Sequence, residues 1–242
     1  EILSEIKKDA KSELECIANT YAWVQRNIRY LAYEAGISAH QPALPAETIR
    51  KRYGDCKAMS LLLKTLLRAQ GFDARQTDIG TDDVPYSPQQ VPTIAAIDHA
   101  ICTVYHQGKA YFLDATNPYI PMGYIPANIQ GRQALVEKES GCDVVILPVL
   151  SEEANSSSEV MEGSLITLDN GTYAMKGNVT SSWSGDMKAM VMSAYESVAK
   201  DEKDRLLARI LGFGKTTDQL GDIRLEGNLP QAQHLQISAA YT

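Results

Sequence analysis

The chain has 242 residues, of which 44% are hydrophobic and 22% charged, and its 30 acidic residues outnumber its 23 basic ones. This composition excludes collagen-like, coiled-coil and wholly disordered proteins, and the net charge of −7 argues against nucleic acid and anionic lipid as partners. The longest aliphatic runs, 61–63 and 144–147, fall far short of the roughly 20 residues that cross a bilayer, so we expect no membrane insertion.

The first third of the chain predicts helices. Apolar residues recur every three or four positions over 12–33, which indicates an amphipathic helix, and a short helix is expected around 45–52. The strongest helical pattern covers 56–70 and is followed by Gly71, a residue typical of helix ends. Cys56 shares a face with the apolar residues of this helix, so we expect it to point inward from the first turn.

Strands are predicted next. Residues 73–79 form the first, and His99–His106 with Lys109–Asp114 form a β-hairpin that turns at Gln107-Gly108. A further apolar strand is expected over 142–150. Eight of the ten prolines lie between positions 42 and 126, in connections around the segments that carry Cys56, His99 and Asp114, and such loops beside rigid elements often build binding sites.

The remainder of the chain predicts a second, mostly β domain. Residues 151–159 are polar and serine-rich, as in a linker. The expected elements after it are a strand to Leu168, a turn over 169–171, a strand at 172–181, helices near 184–198 and 201–211, and strands near 220–226 and 234–241. We therefore predict two domains, 1–150 and 151–242, and expect the chain to be a piece of a longer protein, with the second domain cut short.

Cys56, His99 and Asp114 form a candidate catalytic set. A thiol at a helix N-terminus is stabilised as thiolate by free N–H groups, and a neighbouring imidazolium strengthens this effect. If the hairpin has a two-residue turn, the numbers of opposed residues sum to 215, which makes His99 and Asp114 diagonal neighbours on one face. The carboxylate can then orient the imidazole, as in acyl-transfer triads.

Each of these residues also has an ordinary structural interpretation. A lone cysteine in an amphipathic helix is commonly a small core residue, a lone histidine on a strand is often half-buried, and an aspartate at a strand end commonly serves a turn. Only their conjunction, Gly54-Asp55-Cys56 at a helix start followed by histidine and aspartate across a hairpin, favours chemistry.

The sequence resembles the bacterial transglutaminase-like superfamily over roughly residues 15–135. The similarity lies in Gly54-Asp55-Cys56-Lys57, in the leucine-rich helix that follows, in Asp98-His99-Ala100 and in Phe112-Leu113-Asp114-Ala115-Thr116. The resemblance implies an α+β fold with a papain-like core, in which a helix that carries the cysteine packs on an antiparallel sheet that carries histidine and aspartate.

The resemblance also implies roles for individual residues. Cys56 would be the nucleophile, His99 the general base and then acid, and Asp114 the residue that orients His99. Gln41, in Ala39-His40-Gln41-Pro42, matches a glutamine-proline position of this branch and would help to form the oxyanion hole together with the Cys56 backbone N–H.

These observations predict a thiol enzyme that acts on peptide or amide bonds of a peptide or protein substrate, most simply as a hydrolase. Crosslinking or deamidation, and a non-catalytic binding or scaffold module, remain as alternatives. We expect neither a cofactor nor a metal, since the histidines lack metalloprotease spacing and no Cys-x-x-Cys pair occurs. The resemblance further implies a periplasmic or secreted location, where a Cys102–Cys142 disulfide could form.

Overall fold

The computed structural model describes residues 1–32, 36–212 and 220–242. Their contacts divide the chain into two compact units, Glu1–Leu150 and Ser151–Thr242. Both units combine helices with antiparallel sheet, and the predicted α+β fold class is confirmed.

The described residues of the first unit form four α-helices and seven strands. The helices are α1 (Ile2–Lys7), α2 (Glu13–Asn27), α3 (Pro45–Lys51) and α4 (Cys56–Arg68). The strands are β1 (Arg29–Tyr30), β2 (Tyr53–Gly54), β3 (Asp73–Ile79), β4 (His99–His106), β5 (Lys109–Leu113), β6 (Gln133–Glu137) and β7 (Cys142–Ile146).

Five of these strands form one antiparallel sheet in the order β5-β4-β3-β6-β7, while the short β1 and β2 pair in parallel. Helices α2 and α4 cover the sheet, and the core between them contains Tyr21, Trp23, Leu63, Leu67 and Cys102, each at most 3% exposed. Burying large apolar side chains in this way supplies most of the stabilisation of such a layered unit. The packing also fixes the start of α4 beside the end of β3 and the start of β4.

Several boundaries differ from those predicted. The helix expected over 12–33 ends at Asn27, because residues 29–30 pair with β2 instead, and residue 33 of the prediction lies outside the described residues. Helix α4 ends at Arg68 rather than at residue 70, and Gly71 follows with φ of 92°. Strand β7 ends at Ile146, short of the predicted residue 150.

The possible Cys102–Cys142 disulfide is wrong. Both side chains are free thiols, Cys102 in the core and Cys142 on the surface. Cys102 lies on β4 and Cys142 on β7, which are three strand positions apart in the sheet. That separation is roughly 14 Å, far beyond the Cα–Cα distance a disulfide spans.

The second unit is a four-stranded antiparallel sheet with two helices. The strands follow the order β10-β11-β9-β8. The elements are β8 (Ser157–Thr167), β9 (Tyr173–Ser184), α5 (Gly185–Ser197), α6 (Lys203–Ile210), β10 (Leu220–Glu226) and β11 (His234–Tyr241). None of the helices in the described ranges is both long enough and apolar enough to cross a membrane.

Candidate active site

The hairpin of β4 and β5 sets the positions of His99 and Asp114. Its turn residues Gln107 and Gly108 have φ of 50° and 77°, the positive values that a two-residue turn needs. The observed pairs, from Cys102 with Leu113 to His106 with Lys109, all sum to 215, so the predicted register is confirmed. His99 and Asp114 consequently meet at the open end of the hairpin.

The imidazole of His99 contacts both other members of the predicted triad. Its Nε2 lies 2.8 Å from Oδ2 of Asp114, and Cys56 is near enough to contribute to the raised pKa of His99. Since Nε2 faces the carboxylate, Nδ1 is the ring nitrogen left for the thiol. The structure therefore brings together Cys56, His99 and Asp114 from a helix, a strand and a strand end.

The start of α4 presents Cys56 at its first helical position. Asp55 is the N-cap and accepts a hydrogen bond from the Ala58 N–H at 2.9 Å, and its other oxygen pairs with Lys57 at 2.7 Å. Gly54 is required by packing, since a Cβ there would lie 3.0 Å from Cβ of Ala58 and 3.3 Å from a methyl of Thr48. The Gly-Asp-Cys-Lys pattern thus shapes this helix start.

The electrostatics of the pair favour a charged His99. Burial acts to lower the pKa of His99, but the negative charge and hydrogen bond of Asp114, aided by Cys56, outweigh it and raise the pKa to about 10. Burial likewise acts to raise the pKa of Asp114, while His99 and Thr116 stabilise the carboxylate and lower its pKa overall. An imidazolium beside a thiol at a helix N-terminus stabilises negative charge on sulfur.

Asp114 is held by two residues that the sequence alone did not assign to the site. Thr116 donates to Oδ1 of Asp114 twice, from its N–H at 3.0 Å and from its hydroxyl at 2.7 Å. The buried Tyr21 of α2 donates its hydroxyl to the Asp114 carbonyl oxygen at 2.7 Å. Thr116 ends the Leu-Asp-Ala-Thr motif, so the sequence offered a reason to assign it to the site. Tyr21 is 93 residues from Asp114 in the chain, and no local sequence pattern links the two.

Cys56 and His99 open onto a cavity of about 670 Å³. One part of its wall is apolar, formed by Leu61, Ile94 and Ile97 among others, and another part is charged, formed by Lys64, Asp78 and Glu137. Cys56 is only 2% exposed, so a substrate reaches the sulfur through this cavity rather than across an open surface. The proline-rich connections supply much of the wall, in line with the expectation from proline placement.

Asp98, directly before His99, is a further residue of this cavity. Its carboxylate accepts hydrogen bonds from the Thr81 N–H at 2.8 Å and the Thr81 hydroxyl at 2.6 Å. These bonds join the connection after β3 to the residue that directly precedes β4. Asp98 thus fixes the backbone that presents His99.

Gln41, the predicted oxyanion-hole residue, lies next to residues of the cavity wall. Its neighbours Ala39, His40 and Pro42 line the cavity, while Gln41 is exposed and its N–H donates to the Ile37 carbonyl oxygen at 2.9 Å. Its part in an oxyanion hole stays a prediction. In the part of the chain that the structure describes, no three His, Cys, Asp or Glu side chains are grouped as metal ligands.

The site thus brings together a thiol, an imidazole and a carboxylate that are all largely buried. Residues 1–113 match the family model described as the transglutaminase-like superfamily, which confirms over that segment the resemblance stated from the sequence. The match includes Cys56 and His99 and ends one residue before Asp114. A search of curated proteins finds no match.

Three solved structures are similar to the chain. One is titled a "putative cysteine protease" from Cytophaga hutchinsonii, with 21% identity over 48% of this chain and a TM-score of 0.36. The second is titled a "putative protease" from Parabacteroides distasonis ATCC 8503, with 9% identity over 99% of this chain and a TM-score of 0.48. The third is titled a "TGase", with 19% identity over 52% of this chain and a TM-score of 0.36. The chain spans 35%, 47% and 31% of their respective lengths.

Proposed function

We propose that the chain is a thiol-dependent acyl-transfer enzyme that hydrolyses peptide or amide bonds. The observation that carries this proposal is His99, which bonds to Asp114 at 2.8 Å and lines the same cavity as Cys56. A cysteine that only packs in a core needs neither a nearby imidazole nor an adjoining cavity. The arrangement therefore favours a catalytic role of these residues over a purely structural one.

The first half of the proposed reaction forms a thioester. The Cys56 thiolate attacks the carbonyl carbon of the amide, and the electron pair of the C=O bond moves to oxygen. The backbone N–H of Cys56 and the side chain of Gln41 are the proposed donors to this oxyanion. When the C–N bond breaks, the His99 imidazolium donates its proton to the departing amine.

The second half returns the enzyme to its starting state. Neutral His99 accepts a proton from water as the water oxygen attacks the thioester carbon. The C–S bond then breaks, which releases the carboxylic acid and restores the thiolate and the imidazolium. Asp114 stabilises the imidazolium in both halves, and the raised pKa of His99 matches this resting ion pair.

The test is the alkylation rate of Cys56 against pH, with each modified cysteine identified by mass spectrometry. The chain provides its own references, because Cys142 is exposed, whereas burial raises the pKa of Cys102 to about 12. We expect Cys56 to react well below pH ~8.5 in the wild type and to lose this reactivity in His99→Ala. Equal, slow reaction of Cys56 in both proteins would refute the proposal.

A substrate screen then separates hydrolysis from crosslinking. Peptide amides are incubated with wild type, Cys56→Ala and the matched control Cys142→Ala, with and without a primary amine. We expect acid products from wild type and from the control, and none from Cys56→Ala. Products that carry the added amine would assign transamidation, and turnover by Cys56→Ala would exclude the proposed nucleophile.

A further inference from the structure

A second cavity of the first unit, of about 470 Å³, gathers three arginines, and none of the described residues on its wall is acidic. Arg26 comes from the last turn of α2, Arg29 from β1, and Arg52 from the residue that caps α3. This concentration of positive charge occurs in a chain with seven more acidic than basic residues. The wall of this cavity is therefore basic, although the chain as a whole is acidic.

In the part of the chain that the structure describes, the hydrogen bonds of these guanidinium groups go to uncharged atoms. Arg26 donates from Nε to the Ala22 carbonyl oxygen at 3.3 Å, and Arg52 donates from Nη1 to Oδ1 of Asn27 at 3.1 Å. Within residues 1–32, 36–212 and 220–242, none of the three forms an ion pair. Most of their donors are thus left for a ligand, since each guanidinium carries five N–H groups.

The backbone keeps these arginines together. Arg52 adopts a left-handed conformation with φ of 61°, its N–H donates to the Thr48 carbonyl oxygen, and its own carbonyl oxygen accepts the Arg29 N–H at 2.9 Å. The C-terminal ends of α2 and α3 carry partial negative charge, which offsets part of the repulsion among the cations. The backbone of Arg29 and Arg52 is therefore held together, while the three arginine side chains are exposed to solvent.

We propose that this arginine cavity is a binding site for an oxyanion, either a carboxylate or a phosphate group, with Arg29 and Arg52 as its principal ligands. A planar guanidinium pairs with two oxygens of such a group at once, and two guanidinium groups on adjacent backbone segments can grip one anion from two sides. An anion also relieves the mutual repulsion of the three cations, which favours binding further.

The proposed site borders the catalytic machinery without being part of it. Thr116, which lines the arginine cavity, donates both of its hydrogen bonds to Asp114. The strand that carries Arg29 pairs with Tyr53–Gly54, immediately ahead of Cys56. An anion held here lies beside the triad, where a charged group of a larger ligand can be anchored.

Calorimetric titration of the full chain at low ionic strength tests the proposal. The probes are inorganic phosphate, an acetylated tripeptide with a free carboxylate, and the same tripeptide as its amide. We expect phosphate, the peptide acid or both to bind, and the amide not to bind. We expect the affinity to fall at least 10-fold in Arg29→Gln and in Arg52→Gln. The two anionic probes distinguish a phosphate ligand from a carboxylate ligand.

Arg50→Gln is the matched control, because Arg50 is an exposed arginine of α3 that does not line the cavity. It removes the same charge from the same region and should leave binding unchanged, while Arg29→Lys should retain part of the affinity. The proposal fails if neither anion binds the wild type, or if Arg50→Gln weakens binding as much as the cavity variants. Because the readout is binding, its failure and that of the proposed thiol chemistry are independent.

Discussion

Each unit of the chain buries an ionisable group, and the two units stabilise it in different ways. In the first unit, the carboxylate of Asp114 is 6% exposed and faces the opposite charge of His99 as well as the donors of Thr116. In the second unit, Lys188 of α5 is fully buried and donates to the carbonyl oxygens of Leu229, Pro230 and Ala232.

The pKa values reflect this difference. Pairing with Asp114 raises the pKa of His99 to about 10, whereas burial among neutral carbonyl groups lowers the pKa of Lys188 to about 8. An opposite charge thus preserves ionisation, which a catalytic pair needs. Neutral acceptors only reduce the cost of burying the amine, which serves to fasten the loop over 229–232 to α5.

The largest expected effect is that of Asp114→Asn on turnover. An amide cannot neutralise the imidazolium, so we expect kcat/KM to fall by roughly 10³–10⁴-fold in the proposed reaction. The pKa of His99 should fall, because the charge of Asp114 is the largest influence that raises it, while burial still acts to lower it. Kinetics and an NMR titration of His99 measure the two changes.

Asp83→Asn is the control for this variant, because it removes an exposed carboxylate from a loop of the same unit. It should change neither kcat/KM nor the titration of His99. A His99 pKa that stays near 10 in Asp114→Asn would show that the carboxylate is not its cause.

Lys188→Ala should give the largest loss of stability in the second unit. The variant leaves a cavity and three carbonyl groups without their donor, so we expect a loss of about 3 kcal/mol. Trp183 is the only tryptophan of this unit, and Trp23 is the only one of the first. Urea unfolding followed by fluorescence in a Trp23→Phe background therefore reports on the second unit by itself.

Lys176→Ala, at an exposed position of β9, is the matched control and should cost under 0.5 kcal/mol. Equal midpoints for Lys188→Ala and Lys176→Ala would mean that the buried ammonium contributes nothing to the fold of the second unit.

The pH dependence of stability should have opposite signs in the two units. His99 has a folded pKa above its unfolded value, so its contribution is complete below pH ~6.5 and is lost as pH rises toward 10. Lys188 has a folded pKa below its unfolded value, so the second unit gains stability as pH rises from about 8 toward 10.5. Each effect is at most about 1.4 kcal/mol per pH unit.

The free energy of unfolding is measured between pH 8 and 9.5 in two backgrounds. Trp183→Phe leaves the tryptophan of the first unit as the probe, and Trp23→Phe leaves that of the second. Adding His99→Ala should reduce the pH dependence of the stability of the first unit, and adding Lys188→Met should reduce that of the second unit. Slopes of the same sign in both units would contradict the contrast between a pKa raised by an opposite charge and a pKa lowered by burial.

The smallest expected effect is that of Thr116→Val. The substitution keeps the shape of the side chain but removes one of the hydrogen bonds to Asp114, so we expect about a 10-fold loss of turnover, or roughly 1.4 kcal/mol. The pKa of Asp114 should rise, which moves the acid limb of the pH–rate profile to higher pH. Thr65→Val, at an exposed position of α4, should leave the profile unchanged.

Local sequence patterns were sufficient to predict most elements and the hairpin register that brings His99 and Asp114 together. The 3.6-residue period and the Asp55 cap indicated α4, and the two-residue turn of the β4–β5 hairpin determined that His99 and Asp114 share a face. These features depend on interactions between residues a few positions apart, which is why a linear pattern reveals them. The short α1 and the five-residue β6 were missed, because neither has enough periods to stand out from a loop.

Only the tertiary structure decided what surrounds the triad. Tyr21 reaches Asp114 across 93 residues, Lys188 meets carbonyl groups more than 40 residues away, and Arg29 and Arg52 come together through the pairing of two very short strands. Such contacts depend on how helices and sheets pack, which no local period encodes. The sequence by itself determined which groups could perform the chemistry, while packing decided their burial, their pKa values and the shape of the cavities beside them.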